Sequence, residues 1–218
     1  MEDLPVRYYQ LVLISVRDAE LFARYQTAVA PIARGYGRVE RQLVPERVYG
    51  EAVPLPDIVN VVYGNSEESF HALSRDRRFA EVVPMRSASI DMSSISGPAE
   101  RGEVSEDGLA DRLYLVELAR FGADGECAYR AYEREAGAFM APFGYHVERV
   151  IRPDGEGSGL PFRPDLVKIA YVDGAGALDR MHADPGQARI EGELYAAAVA
   201  QSVWFVARAQ AVAPAVPS

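Results

Sequence analysis

The chain has 218 residues, 49% hydrophobic and 25% charged, a composition that fits a soluble globular protein and excludes a disordered one. Of the formal net charge of −9, residues 97–111 hold −4 (one basic, five acidic), so the remainder is close to neutral and offers no basic face for nucleic acid. No apolar run approaches the ~20 residues that cross a bilayer, and the single cysteine, Cys127, excludes an internal disulfide.

Residues 9–16 are apolar and aromatic and predict a buried strand. Asp18 offers an N-cap, Leu21, Phe22, Tyr25, Val29 and Ile32 follow at helical spacing, and Gly35 and Gly37 close that helix. Residues 38–44 form a second predicted strand, 45–56 a connection and 57–63 a third strand. Ser66 caps a second helix carrying Phe70 and Leu73, and residues 87–95 close the unit as a strand. The same order then returns: strand 113–119, helix 126–140, strands 147–152 and 165–172. A helix from residue 175 breaks at Asp184-Pro185-Gly186 and resumes over 187–198, before a last strand at 202–207. Residues 97–111 read as an acidic linker and 211–218 as a frayed tail. Met1 to Pro5 has neither the basic region nor the apolar core of a signal peptide, so a cytoplasmic protein is expected. Cys127 is expected to be a buried spectator in the 126–140 helix.

The second series is a copy of the first. Val39-Glu40-Arg41 recurs as Val147-Glu148-Arg149, Pro56-Asp57-Ile58-Val59 as Pro164-Asp165-Leu166-Val167, and Tyr63 as Tyr171, all in one ungapped register (147 − 39 and 171 − 63 both give 108). A period this long means two small domains, 1–96 and 112–210. Each has the β-α-β-β-α-β order of a ferredoxin-like unit, an antiparallel sheet with both helices on one face. The third strand of each is apolar on both faces, so the open sheet face must be buried as well. The two copies can bury each other's. The fold class expected is therefore α+β: two tandem βαββαβ repeats forming a pseudo-dimeric α/β barrel, a monomer or a homodimer of such chains.

This tandem order, with the apolar third strand and with Tyr9, Tyr25, Gly37 and Tyr49-Gly50-Glu51 in place, resembles the dimeric α/β-barrel superfamily, and within it small bacterial members without an assigned function. The superfamily includes cofactor-independent monooxygenases, lactone isomerases, polyketide-type cyclases, haem enzymes and ligand-binding stress proteins. The resemblance implies binding and transformation of a small hydrophobic oxygenated molecule, without a metal or cofactor. The alternative it leaves open is a non-catalytic small-molecule or stress-response binder. A third is a haem protein, with His146 as the ligand.

Strong local motifs are absent. His71, His146 and His182 with one cysteine make no preformed metal set. Gly155-Glu156-Gly157-Ser158-Gly159 lacks the strand and helix of a dinucleotide fingerprint and reads as a hairpin tip or a lid. Lys168, the only lysine among 23 basic residues, stands in the middle of an apolar strand. Asn60 holds the matching place in the first copy (168 − 60 = 108). Either the strand twists and Lys168 snorkels to solvent, or Asn60 and Lys168 face a ligand inside the barrel. Glu117 lies on the antiparallel neighbour of that strand and is the candidate acid or base beside Lys168. His146, at a barrel mouth, is the third catalytic candidate. Twelve tyrosines, with Trp204 on the last strand, suit an aromatic-lined pocket. Asn60, Trp204, Tyr171 and Arg149 are the candidate substrate contacts. Arg41 and Arg149 each adjoin a Glu that strict alternation places on the opposite face, for which ion pairs on the outside of the strands are the simpler account.

Overall fold

The computed structural model describes residues 7–50, 53–101, 111–155 and 157–210. The first half contains β1 (Arg7–Val16), α1 (Ala19–Ala33), β2 (Arg38–Gly50), β3 (Ile58–Gly64), α2 (Glu67–Arg75), α3 (Arg77–Ser89) and β4 (Ile90–Arg101). The second contains β5 (Leu113–Phe121), α4 (Gly125–Met140), β6 (Tyr145–Ile151), β7 (Leu166–Val172) and α5 (Ala175–Ala183). It continues through α6 (Gly186–Arg189), a π-helical segment (Ile190–Tyr195), α7 (Ala196–Ala198) and β8 (Val199–Gln210). The strands close into one antiparallel barrel in the order β1-β3-β2-β8-β5-β7-β6-β4. Each half supplies four neighbouring strands, and the halves meet at two seams, β2 with β8 and β4 with β6. No helix among the described residues is long and apolar enough to cross a membrane.

Alternation along the strands divides the protein into layers. Tyr9, Leu11, Val59, Val61, Tyr114, Val116, Val167, Ile169, Val203 and Phe205 point inward and form the barrel core. Leu113, Leu115, Leu166, Val172 and Val206 point outward, under the helices of the second half. Val12, Ile14 and Ile90 do the same in the first half, against Phe22 of α1. The expected Asp18 cap is present: its carboxylate accepts from Leu21 N at 2.9 Å.

Several boundaries differ from the expected ones, and the seams are the reason. β2 does not end at residue 44; it bulges between Pro45 and Arg47, where proline has no N–H to give a ladder, and continues along β8 to Gly50. Residues 87–89 belong to α3, and β4 runs on to Arg101, so 97–101 are seam strand rather than linker. The linker reading for 102–110 and the tail reading for 211–218 fall outside the described residues. The described residues of the Gly155–Gly159 connection, 155 and 157–159, are not a free tip. Ser158 N and Ser94 N each bond the other's carbonyl oxygen, at 2.9 and 3.0 Å, which pins it along β4, and Phe162 beyond it enters the barrel core. Cys127 is exposed rather than buried.

A glycine stands at each seam. A Cβ on Gly97 would lie 2.0 Å from the Arg152 carbonyl oxygen, and one on Gly50 would lie 2.2 Å from that of Ser202. Gly50 also has φ 96, and Gly125 has φ 58 with open space around it. Gly125→Ala therefore measures the cost of backbone strain alone, about 1–3 kcal/mol. Gly50→Ala is expected to cost clearly more in urea denaturation, since the β2–β8 seam must also part. Equal losses for the two variants would contradict this account of the seam.

The repeated Val-Glu-Arg motif carries a further bulge in each copy, between Val39 and Arg41 in β2 and between Val147 and Arg149 in β6. The extra residue breaks alternation, so Glu and Arg of each copy turn to the same side, into the barrel. Arg41 there meets Glu148 at 2.7 Å and Arg149 meets Glu40 at 2.6 Å. Arg149 Nε also donates to Tyr9 Oη at 2.9 Å. The ion pairs thus cross between halves in the interior and are not on the outer surface. Arg149, fully buried and committed to Glu40 and Tyr9, is not a ligand contact.

Candidate active site

In α4, residues at intervals of three and four place Tyr129, Tyr132, Ala136 and Met140 on the face turned to the sheet. Beneath them, Trp204 on β8, Glu117 on β5 and Lys168 on β7 stand in one cross-strand row, paired as Glu117 with Trp204 and Glu117 with Lys168. This row faces outward, on the side of Leu115 and Leu166. Lys168 and Glu117 are thus neither in the barrel interior nor at the solvent surface; they lie between sheet and helices, at 3% and 0% exposure. The reason is parity: the inward positions of β7 are Val167, Ile169 and Tyr171.

The three polar groups form a closed triangle. Lys168 Nζ lies 2.8 Å from Glu117 Oε2 and donates to Tyr129 Oη at 2.9 Å, and Tyr129 Oη donates to Glu117 Oε2 at 2.9 Å. Glu133 Oε1 approaches the ammonium at 3.7 Å. The rings of Tyr129, Tyr132 and Trp204 surround Nζ, with centroids at 5.2, 5.7 and 5.6 Å. Trp204 Nε1 donates to Tyr195 Oη at 2.9 Å.

Burial by itself pushes Lys168 down, but the Glu117 carboxylate and the phenols of Tyr145 and Tyr129 outweigh it and hold the ammonium well above the ordinary lysine value. Burial likewise raises the hydroxyls of Tyr129, Tyr132, Tyr145 and Tyr195 above the ordinary tyrosine range. At neutral pH the cluster is therefore an ammonium in an ion pair with Glu117, surrounded by neutral phenols.

These groups back a cavity of about 470 Å³ between the sheet and the helices of the second half. Leu115, Trp204 and Val206 line its sheet side, Tyr132 and Met140 of α4 and Leu178, Met181 and His182 of α5 its helix side. Tyr145, Gln187, Glu191 and Tyr195 line it as well, and Tyr49 and Gly50 of the first half complete the wall. Trp204 is thus at the cavity as expected. The other candidates are elsewhere. Tyr171 points into the barrel core. His146 stacks on it at 4.9 Å, with Nε2 at 3.6 Å from Asp173, and does not line the cavity. Asn60 lies on the outer face of the first half, on β3 opposite Val12 of β1, away from the cavity. Tyr129, Tyr132, Tyr145, Tyr195, Gln187 and Glu191 carried no individual reading in the sequence, and His182 entered there only among the scattered histidines. The helical spacing of the two α4 tyrosines and the break before Gln187 were the available signals.

The first half lacks this site. Where Glu117 faces Lys168, Val12 faces Asn60. Where α4 carries Tyr129 and Tyr132 with centroids 5.5 Å apart, α1 carries Phe22 and Tyr25, 6.3 Å apart, with no hydroxyl at Phe22.

No protein-family model and no curated protein matches the chain. Solved structures do. An anthrone oxidase-like protein superposes with a TM-score of 0.63 at 11% identity, over 96% of this chain and 92% of that one. A variant of chlorite dismutase from Candidatus Nitrospira defluvii gives 0.61 at 8% identity, over 95% and 93%. A proposed monooxygenase from Lactobacillus acidophilus NCFM gives 0.53 at 10% identity, over 94% of each chain. The chain has the tandem dimeric α/β-barrel fold. At these identities the likeness carries architecture only, and the chemistry of the tandem barrel rests on its own side chains. Among the described residues no cluster of three or more His, Cys, Asp or Glu is arranged to hold a metal ion.

Proposed function

We propose that the tandem barrel binds a small, apolar, oxygenated organic molecule in the second-half cavity and transforms it through an oxyanion, an enolate or phenolate. The reaction type is that of a cofactor-independent monooxygenase, isomerase or cyclase. The observation that carries this is the comparison of the two halves. One architecture accepts Val12, Asn60 and Phe22 in the first half, so the barrel does not need Glu117, Lys168 and Tyr129 in the second. A buried ion pair with a bonded phenol costs desolvation, and here it stands directly behind a cavity. In this reading Tyr132, Tyr145 and Tyr195 offer neutral O–H donors to the developing oxyanion, and Lys168 supplies the positive field behind them. Lys168 and Glu117 are positioning residues, since they do not line the cavity. His182 and Glu191, which do, are the groups able to receive the substrate proton. An anthrone oxidase-like protein and a proposed monooxygenase share this fold, which makes oxygenation the first reaction to test. Toward haem the lining offers His182, but among the described residues it contains no arginine or lysine to pair with propionates, and it presents Glu191.

Anthrone in aerated buffer is the first test. Oxidation of its CH2 to C=O consumes one O2, whose second oxygen atom leaves as water with the two hydrogens. Oxygen uptake with anthraquinone formation above the protein-free rate is expected, falling about 100-fold in Tyr145→Phe. Quenching of Trp204 fluorescence by aryl ketones with neither oxygen uptake nor isomerisation would instead favour a binding protein.

A further inference from the structure

Gln187 is a polar group of the cavity that the chemistry above leaves unused. It is 6% exposed and lines the cavity. Among the described residues neither its Oε1 nor its Nε2 has a hydrogen-bond partner. An amide in such a place has lost its hydration without a replacement, which is rare in folded proteins unless something else pairs with it.

The local backbone explains how it comes to be there. Gly186 N donates to Asp184 Oδ1 at 2.8 Å, and Gln187 N donates to Asp184 O at 3.0 Å. The helix therefore restarts at Gly186, and its second residue lies against the cavity. Asp76 stands at the same point of the first half (184 − 76 = 108) and also caps a restarting helix, α3. The counterpart of Gln187 there is Phe79 (187 − 79 = 108). An apolar side chain thus satisfies the fold at this position, and the fold does not require the amide.

We infer that Gln187 is a ligand-recognition residue that reads a coplanar donor–acceptor edge, such as a cis-amide, a lactam or an enolised dicarbonyl presents. Both atoms are closed to solvent, so binding turns the amide about its side-chain torsions toward the ligand: its Oε1 then accepts from the ligand's N–H or O–H, and its Nε2 donates to the ligand's carbonyl. This rests on the proposed ligand cavity but not on turnover. It predicts that apolar, aromatic-sized molecules with such an edge bind more tightly than plain ketones such as anthrone. A plain ketone can meet only half of the amide, and the other half then stays buried and unpaired, which disfavours that ligand.

The test uses 2-naphthamide and 2-acetylnaphthalene, which share a ring system and differ by NH2 against CH3. In titration calorimetry the wild-type protein is expected to bind the amide at least about tenfold more tightly than the ketone. Gln187→Met, which keeps the volume, is expected to bind the two within about twofold of each other. Gln187→Glu keeps an acceptor for the ligand N–H and loses the donor to its carbonyl, so it is expected to bind both probes more weakly and to keep the preference for the amide. The ligand-free melting temperature of Gln187→Met should equal or exceed that of the wild type, because no protein hydrogen bond is lost. A merely structural glutamine would lower it. Equal binding of the two probes by the wild type, or binding of neither, overturns the inference. Intact discrimination without turnover overturns only the oxyanion reading.

Discussion

Lys168→Met is expected to lower folding stability by about 3–5 kcal/mol, because it leaves the Glu117 carboxylate buried beside Tyr129 without its cation. Adding Glu117→Leu should recover most of that loss, since apolar pairs of similar volume replace buried ion pairs at little cost. Activity separates the two roles that the pair can have. If the pair only stabilises, the double variant regains stability and turnover together. If Lys168 supplies the field for the oxyanion, stability returns and turnover does not. The pH dependence has a defined sign. Lys168 is raised when folded, so its contribution is present below the ordinary lysine value of 10.5 and is lost as pH rises toward the folded value. The raised tyrosines act in the same direction. Alkaline unfolding should therefore be steep in the wild type and shallower in Lys168→Met. A Lys168→Met protein as stable as the wild type, with unchanged activity, would remove the site.

Arg149→Met is the second large effect, again about 3–5 kcal/mol, and it acts in the barrel interior. Glu40 would lose its partner at 2.6 Å and Tyr9 Oη its donor at 2.9 Å. Because Arg149 belongs to β6 and Glu40 to β2, the loss is one of attachment between the halves. Burial raises Glu148 above the ordinary carboxylate value even though Arg41 and Arg149 pull it down. Desolvation thus outweighs attraction at Glu148, while at Arg149 desolvation is outweighed by the contacts with Glu40 and Tyr9, which hold the guanidinium above its ordinary value; buried pairs of this kind set how the halves meet. Urea denaturation of Arg149→Met and of Arg149→Met with Glu40→Leu checks this. The double variant should recover most of the loss, and failure to do so would mean that Arg149 acts through Tyr9 rather than through Glu40.

Much of the architecture was legible in the chain. An ungapped register of 108 from Val39 to Tyr63, with third strands apolar on both faces, is enough to require two sheets that cover each other. The antiparallel pairing of Glu117 and Lys168 was legible too, because strand order in a β-α-β-β-α-β unit places those strands side by side. Which face they share was not. Leu166, Lys168 and Ala170 alternate with Val167, Ile169 and Tyr171, and both sets are apolar enough to be a core, so local pattern cannot say which one points inward. Packing decides it, by giving the barrel interior to Ile169 and Tyr171 and the helix layer to Lys168.

The same limit explains the other corrections. A β-bulge at Glu40 and Glu148 leaves no mark in composition, yet it turns a Glu and an Arg to one side and converts expected outer-strand pairs into an interior cross-link. Pro45 reads locally as the start of a connection and Gly97-Pro98 as the start of a linker; only the partner strand across each seam makes them part of β2 and β4. His146, Tyr171 and Asn60 were placed near the chemistry because they sit on the right strands, and each proved to face another layer. What the sequence by itself determined is the duplication, the fold and the polar pair at Lys168 and Glu117, since these follow from register and period. What only the tertiary structure decided is the location of the cavity and the roles of Tyr129, Tyr145, Tyr195 and Gln187. They come from separate helices and strands and become neighbours only when helices and sheet pack.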